Sequence, residues 1–241
     1  MSKVDMLDSR FPMEEDNMAT TFQDDERENE AIKLFGLVRD DDAGRSGTDA
    51  YLDINGMLVP FELKSASRGS VTTVRDFGPD HIAKWKEKHW LIGFYNNGVV
   101  SHYVYGNPQE MDSWIQEKWR YVKPDFDLAE MVPPLVTMKQ LVTILGHKTA
   151  YSLRDAQNIQ KMQYKKEEYL AMMDIPDGYS QQRMLEILQD RAGYLMRRGS
   201  TLNNPHIPGA YFDGLCRITS DHAATLRSKV SSYLNECIKK S

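Results

Sequence analysis

Residues 48–67 read TDAYLDINGMLVPFELKSAS. Two runs of alternating apolar and polar residues flank Asn55-Gly56, the strongest short hairpin signal in a sequence, because both residues accept the positive φ of a type I′ turn. A two-residue turn there predicts a register in which Ile54 faces Met57, Leu52 faces Val59, Ala50 faces Phe61 and Asp49 faces Glu62. Side chains alternate along a strand, so Ala50, Leu52, Ile54, Met57, Val59, Phe61 and Leu63 share one face, read as core. Asp49, Tyr51, Asp53, Pro60, Glu62 and Lys64 share the other. In this register Tyr51 and Pro60 form a non-hydrogen-bonded pair, so the N–H that proline lacks would point to the next strand, which is expected to pair only beyond it.

The polar face sets two carboxylates opposite each other, with β-carbons about 4.5–5.5 Å apart. Like charges that close repel, and a divalent cation relieves the repulsion; Mg²⁺ typically takes one or two carboxylates and keeps several waters. Lys64, two residues beyond Glu62 on the same face, could orient or help deprotonate an attacking water and offset charge on a phosphate. Asp53 shares the face but sits beside the turn, where Asp is common for local reasons.

Asp49 followed by Glu62-Leu63-Lys64 resembles the PD-(D/E)xK signature of type II restriction endonucleases, with Thr48 where the signature has proline. The resemblance implies a mixed α/β (α+β) fold: a restriction-endonuclease-like αβββαβ core with a helical C-terminal half. It implies Asp49, Glu62 and Lys64 as catalytic residues, with Asp49, Glu62 and the Leu63 carbonyl as metal ligands, and Mg²⁺ as cofactor, for which Mn²⁺ can substitute. The family often adds an acid from the first helix, for which Glu28 and Glu30 are the candidates; both also suit the role of first-turn dipole partners.

Outward from the hairpin, residues 1–22 read as an acidic, flexible leader, with ten acids and three bases in the first thirty residues. Ala31, Leu34, Phe35 and Val38 recur at helical spacing behind Asp24 and Asp25, predicting a helix over 24–38, and RDDDAGRSG (39–47) is a loop. Residues 79–88 read as a short helix, 90–105 as a second hairpin turning at Asn96-Asn97-Gly98, and 108–121 as an amphipathic helix. A linker is expected at 125–134, separating a catalytic core (23–124) from a helical region (135–241) for DNA recognition, dimerisation or both. Helices are expected over 137–145, 149–173, 180–196 and 220–239, with 199–209 a turn-rich loop.

Three stretches are candidates for DNA contact. Residues 137–163 resemble a helix-turn-helix, in which Lys148, Tyr151, Ser152, Arg154 and Asn158 would be exposed reading residues; an ordinary helical hairpin packed on the core is the other reading. Residues 67–81, directly after the Glu62 strand, offer Arg68, Ser70, Thr72, Thr73 and Arg75 to phosphates, or form a plain surface loop. Arg197, Arg198, Asn203 and Asn204, with His206, could read bases or phosphates. His81, His89 and His102 lack metal-binding spacing and read as structural, and Trp85, Trp90, Trp114 and Trp119 as core.

With 241 residues the chain is long enough for one large domain or a domain with an appendage. No apolar run approaches the ~18 residues of a membrane span, residues 1–18 lack a secretory signal pattern, and Cys216 and Cys237 cannot make a zinc ribbon, so a cytoplasmic location is expected. The net charge of −5 conceals fifteen bases against ten acids over 139–241, a balance that suits a polyanion partner. The function expected is Mg²⁺-dependent, sequence-specific cleavage of double-stranded DNA by a homodimer, paired with a methyltransferase acting on the same site. A repair or junction-resolving nuclease on the same core, and a non-enzymatic helix-turn-helix regulator, are the alternatives.

Overall fold

The computed structural model describes residues 15–39, 47–67 and 69–240. Elements run α1 (Glu15–Phe35), β1 (Ala50–Ile54), β2 (Met57–Ala66), β3 (Ser70–Thr72), α2 (Pro79–Trp85), β4 (His89–Asn96), β5 (Val99–Gly106) and α3 (Pro108–Met131). Then follow α4 (Met138–Leu145), α5 (Leu153–Gln160), α6 (Lys166–Ala171), α7 (Gln181–Gly199), β6 (His206–Pro208), β7 (Cys216–Ile218) and α8 (His222–Lys240). The fold is mixed α/β. The main sheet has the order β1-β2-β4-β5-β7, with β2 and β4 parallel and the other pairs antiparallel.

The first hairpin folds as its sequence dictates. Ile54 pairs with Met57, Leu52 with Val59 and Ala50 with Phe61, while Asn55 and Gly56 take φ of 54° and 86°. The N–H and C=O of Tyr51 both bond Val38, which adds a single antiparallel bridge outside β1, so Tyr51 and Pro60 are indeed a non-hydrogen-bonded pair. β4 begins pairing with β2 at Phe61, one residue past Pro60. The apolar face is core: Ala50, Leu52, Val59, Phe61 and Leu63 pack with Ala31 and Phe35 of α1, Ile218 of β7, and Leu226 and Val230 of α8. Met57, beside the turn, is exposed instead.

Several boundaries differ from those expected. α1 starts at Glu15, so residues 15–22 are helical, not a loose leader; residues 1–14 and 40–46, on which the rest of the expected leader and most of the expected loop fall, lie outside the described set. Residues 125–134 are not a linker, because α3 continues through Pro124 to Met131. The expected 149–173 helix is broken into α5 and α6 by Lys161 and Met162, both left-handed (φ 54° and 58°). A short strand, β6, lies in the stretch read as a turn-rich loop, and another, β7, lies between the expected elements. The chain divides into two compact units. One comprises residues 1–73, 83–113 and 206–241, and the other 74–82 and 114–205. The sequence-based boundary near 124–135 is thus replaced: residues 206–241 belong with the sheet. The second unit has its own core of Leu141, Tyr151, Ala156, Tyr169, Tyr179, Met184, Leu185, Ile187 and Leu188. Among the described residues no single helix is long and apolar enough to cross a membrane.

Candidate active site

The polar face of the first hairpin gathers the residues expected there. Glu62 is almost wholly buried, 2% exposed, and each of its oxygens holds an ammonium: Oε1 accepts from Lys64 Nζ at 2.7 Å and Oε2 from Lys88 Nζ at 2.8 Å. Lys64 Nζ also donates to the Leu63 carbonyl at 3.0 Å and lies 3.8 Å from Asp49 Oδ2. Asp49 Oδ2 accepts the Leu63 N–H at 2.8 Å, which pins the carboxylate to the strand that carries Glu62. Three oxygens, one each from Glu62, Leu63 and Asp49, therefore face one cationic atom.

The electrostatics separate the two acids. Burial raises the Glu62 pKa, but the Lys64 and Lys88 ammonium groups outweigh it and bring it down to about 2. Asp49 moves the other way: burial lifts its carboxyl above the usual range, with Lys64 opposing and the Glu62 charge adding to the lift. The Lys64 ammonium is held above its ordinary value because Glu62 and Asp49 overcome its desolvation. Paired groups of this kind, buried and pushed apart, are frequent at functional sites.

Of the two acids proposed from the first helix, Glu28 belongs here. Burial and then the charge of Asp49 raise its pKa, while Arg39, bonded to it at 2.6 Å, draws it back. Glu30 does not join: it accepts the Tyr95 hydroxyl at 3.2 Å, beside an Arg27 guanidinium stacked on that ring at 4.5 Å. Asp53 serves the turn, with Oδ1 accepting the Gly56 N–H at 2.6 Å. Lys88 is the residue sequence reasoning missed. It stands in KEKHW (86–90), a run that reads as a solvated helix end. Its role follows from the parallel β2–β4 register, Phe61 against His89, which one step back sets Lys88 beside Pro60 on the face of Glu62. Lys84 also feels the cluster: burial and the Lys88 charge lower its pKa, and Glu62 and Asp49 oppose.

The oxygen set suits a hard divalent cation. Among the described residues no three His, Cys, Asp or Glu side chains form a ready metal cage. Mg²⁺ asks for less, one or two carboxylates with waters completing the shell. The Lys64 ammonium marks the place where the three oxygens converge.

The residues expected to contact DNA scatter by role. Tyr151 is 1% exposed, bridges Tyr179 through the backbone and donates its hydroxyl to the Gly146 carbonyl, so it is core and not a reading residue. Ser152 caps α5, accepting the Asp155 N–H at 3.3 Å, and Lys148 pairs with Asp155 at 2.8 Å. The second helix of the expected motif starts at Leu153, not near 149, and only Arg154 and Asn158 remain exposed one turn apart on it. Arg68 lies outside the described residues. Ser70 and Thr72 sit on β3, which pairs with β6 in a two-stranded ribbon where Thr72 Oγ1 meets His206 Nδ1 at 3.3 Å. Thr73 is half-buried, and Arg75, Arg197, Arg198 and Asn203 are exposed, with Asn204 half-buried and left-handed at φ 48°. His89 is structural: Nδ1 meets the Tyr105 hydroxyl at 2.7 Å and the ring stacks on Phe61 and Tyr105. No model of a known protein family matches the chain, and no curated protein matches it.

Proposed function

We propose that the chain is a Mg²⁺-dependent endonuclease that cuts double-stranded DNA at a specific sequence, a type II restriction enzyme on a PD-(D/E)xK core. The observation that carries the reading is the convergence of Glu62 Oε1, the Leu63 carbonyl and Asp49 Oδ2 on the Lys64 ammonium, at 2.7, 3.0 and 3.8 Å. The order of elements supports it: with the Val38 bridge counted as a first strand, α1, β1, β2, α2 and the parallel β4 resemble an αβββαβ order into which the short β3 is inserted between β2 and α2.

Asp49, Glu62 and the Leu63 carbonyl would hold the ion, and Mg²⁺ bound there supplies Lewis-acid stabilisation of charge on the scissile phosphate. With those oxygens given to an ion, Lys64 would be free of Glu62 and Leu63, and its ammonium would be placed to face the phosphate, orient the attacking water and offset the developing charge. Glu28, adjacent in charge to Asp49, accepts a proton more readily than an ordinary glutamate and is suited to hold that water. The basic balance of 139–241 supports a polyanion substrate, and cutting both strands of a symmetric site is simplest for a two-fold homodimer.

Incubation with a plasmid or phage DNA and Mg²⁺ should give discrete fragments on a gel; structure-dependent nicks would instead indicate a junction or repair nuclease. Glu62→Ala is expected to lower cleavage by at least about 10²–10³-fold while leaving DNA binding measurable. Undiminished cleavage by that variant ends the assignment.

A further inference from the structure

We infer that Lys88 is a positioning residue for the Glu62 carboxylate: by holding Oε2 it leaves Oε1 as the single oxygen turned towards Asp49 and the Leu63 carbonyl. This rests on the nuclease reading of the same site. Lys88 and Glu62 are both about 3% exposed at their side chains and their contact is 2.8 Å, so neither group has water to turn to. The opposite oxygen is the one at 2.7 Å from Lys64, on the side where the three oxygens converge. The two lysines thus divide the carboxylate. Lys64 occupies the position a cation would take, and Lys88 grips the far side and stays there when Lys64 moves.

Two consequences separate this role from simple support of the fold. A buried ammonium beside Glu62 opposes any cation brought to it, so its removal strengthens divalent-cation binding by Coulomb's law. A Glu62 freed at Oε2 can offer either oxygen and loses its aim, so turnover falls. A residue that only stabilises the fold would not move affinity and rate in opposite directions.

The test uses the full chain at pH 8. Calorimetric titration with Mn²⁺ gives metal affinity without DNA, plasmid cleavage at saturating Mg²⁺ gives rate, and thermal melting in chelator gives stability. For Lys88→Met we expect Mn²⁺ to bind about fivefold more tightly or better and the rate to fall about 10- to 100-fold, the usual scale for partners of metal ligands. Lys88→Gln, which keeps an N–H donor and suits the site should the methionine variant not fold, should move both readouts the same way by at least about threefold. Lys88→Arg, with the charge retained, should stay within about threefold of wild type in both. A folded Met or Gln variant with wild-type affinity and rate overturns the inference, and so does failure of both to fold while the Arg variant folds. A wild-type protein that neither binds Mn²⁺ nor cuts DNA instead sinks the nuclease reading itself.

Discussion

Glu62 has more charge around it than any neutral accounting would place in a sheet: two ammonium groups, a second carboxylate and almost no water. Its pKa is depressed to about 2 from an ordinary 4.5, so its contribution to stability is complete above pH 4.5 and is lost as pH falls towards 2. His89, immediately after Lys88, has a pKa lowered by burial to about 4 from 6.5. The unfolded chain then binds the proton first, and stability falls as pH drops from 6.5 towards 4. Between pH 7 and 4.5 that residue alone should remove about 2–3 kcal/mol, and His89→Gln should flatten the loss, as urea titrations at the two pH values would show. Removing one member of a buried ion pair costs about 3–5 kcal/mol; Glu62 keeps Lys64, so Lys88→Met should lie near about 3 kcal/mol by the same measurement. None of this was legible from the sequence at Lys88, because the residue meets Glu62 through a parallel crossover and not through spacing. The closeness of Asp49, Glu62 and Lys64 was legible because an Asn-Gly turn sets the register of the two strands, although the ladder ends at Ala50 and Phe61, one residue short of the expected Asp49–Glu62 pair.

At the scale of elements, turn chemistry decided what could be read. The first hairpin needs positive φ at Asn55 and Gly56, and the second at Asn97 and Gly98; the first register follows from its turn, whereas the second shifts at a bulge between Phe94 and Tyr95 that the turn does not announce. Gly56→Ala should destabilise the protein by about 1 kcal/mol, measurable as a lower denaturation midpoint. Where tertiary packing overrides local preference, the reading failed. α3 runs through Pro124 because Met111, Trp114, Ile115, Val122, Phe126 and Ala129 are buried along it at helical spacing on both sides of the proline. α5 ends where Lys161 and Met162 turn left-handed, a conformation neither residue type announces. β6 and β7 are three residues each and too short to show a period. Close backbone approaches are equally silent: a β-carbon on Gly178 would stand 2.6 Å from the Tyr151 carbonyl oxygen. Gly178→Ala should therefore cost about 1–3 kcal/mol and disturb the Tyr151–Tyr179 bridge, which thermal melting would register.

At the scale of the molecule, the sequence reading placed one cut near residues 124–135, whereas the chain passes between its two units several times. Composition shifts and prolines mark linkers only when domains are laid end to end. Here residues 206–241 return to the sheet unit, and Ile218, Leu226 and Val230 close the core beneath Ala50, Leu52 and Phe61. A chain cut after residue 205 should lose the cooperative melting transition of the sheet unit, since that core would be open on one side. The same return path orders events during synthesis. The hairpin bearing Asp49 and Glu62 leaves the ribosome before β7 and α8, so the hydrophobic floor under it waits for some 150 further residues of nascent chain. Until α8 arrives, the acids sit on a ribbon that is marginal in water by itself, so maturation of the charged site is tied to the synthesis of that helix.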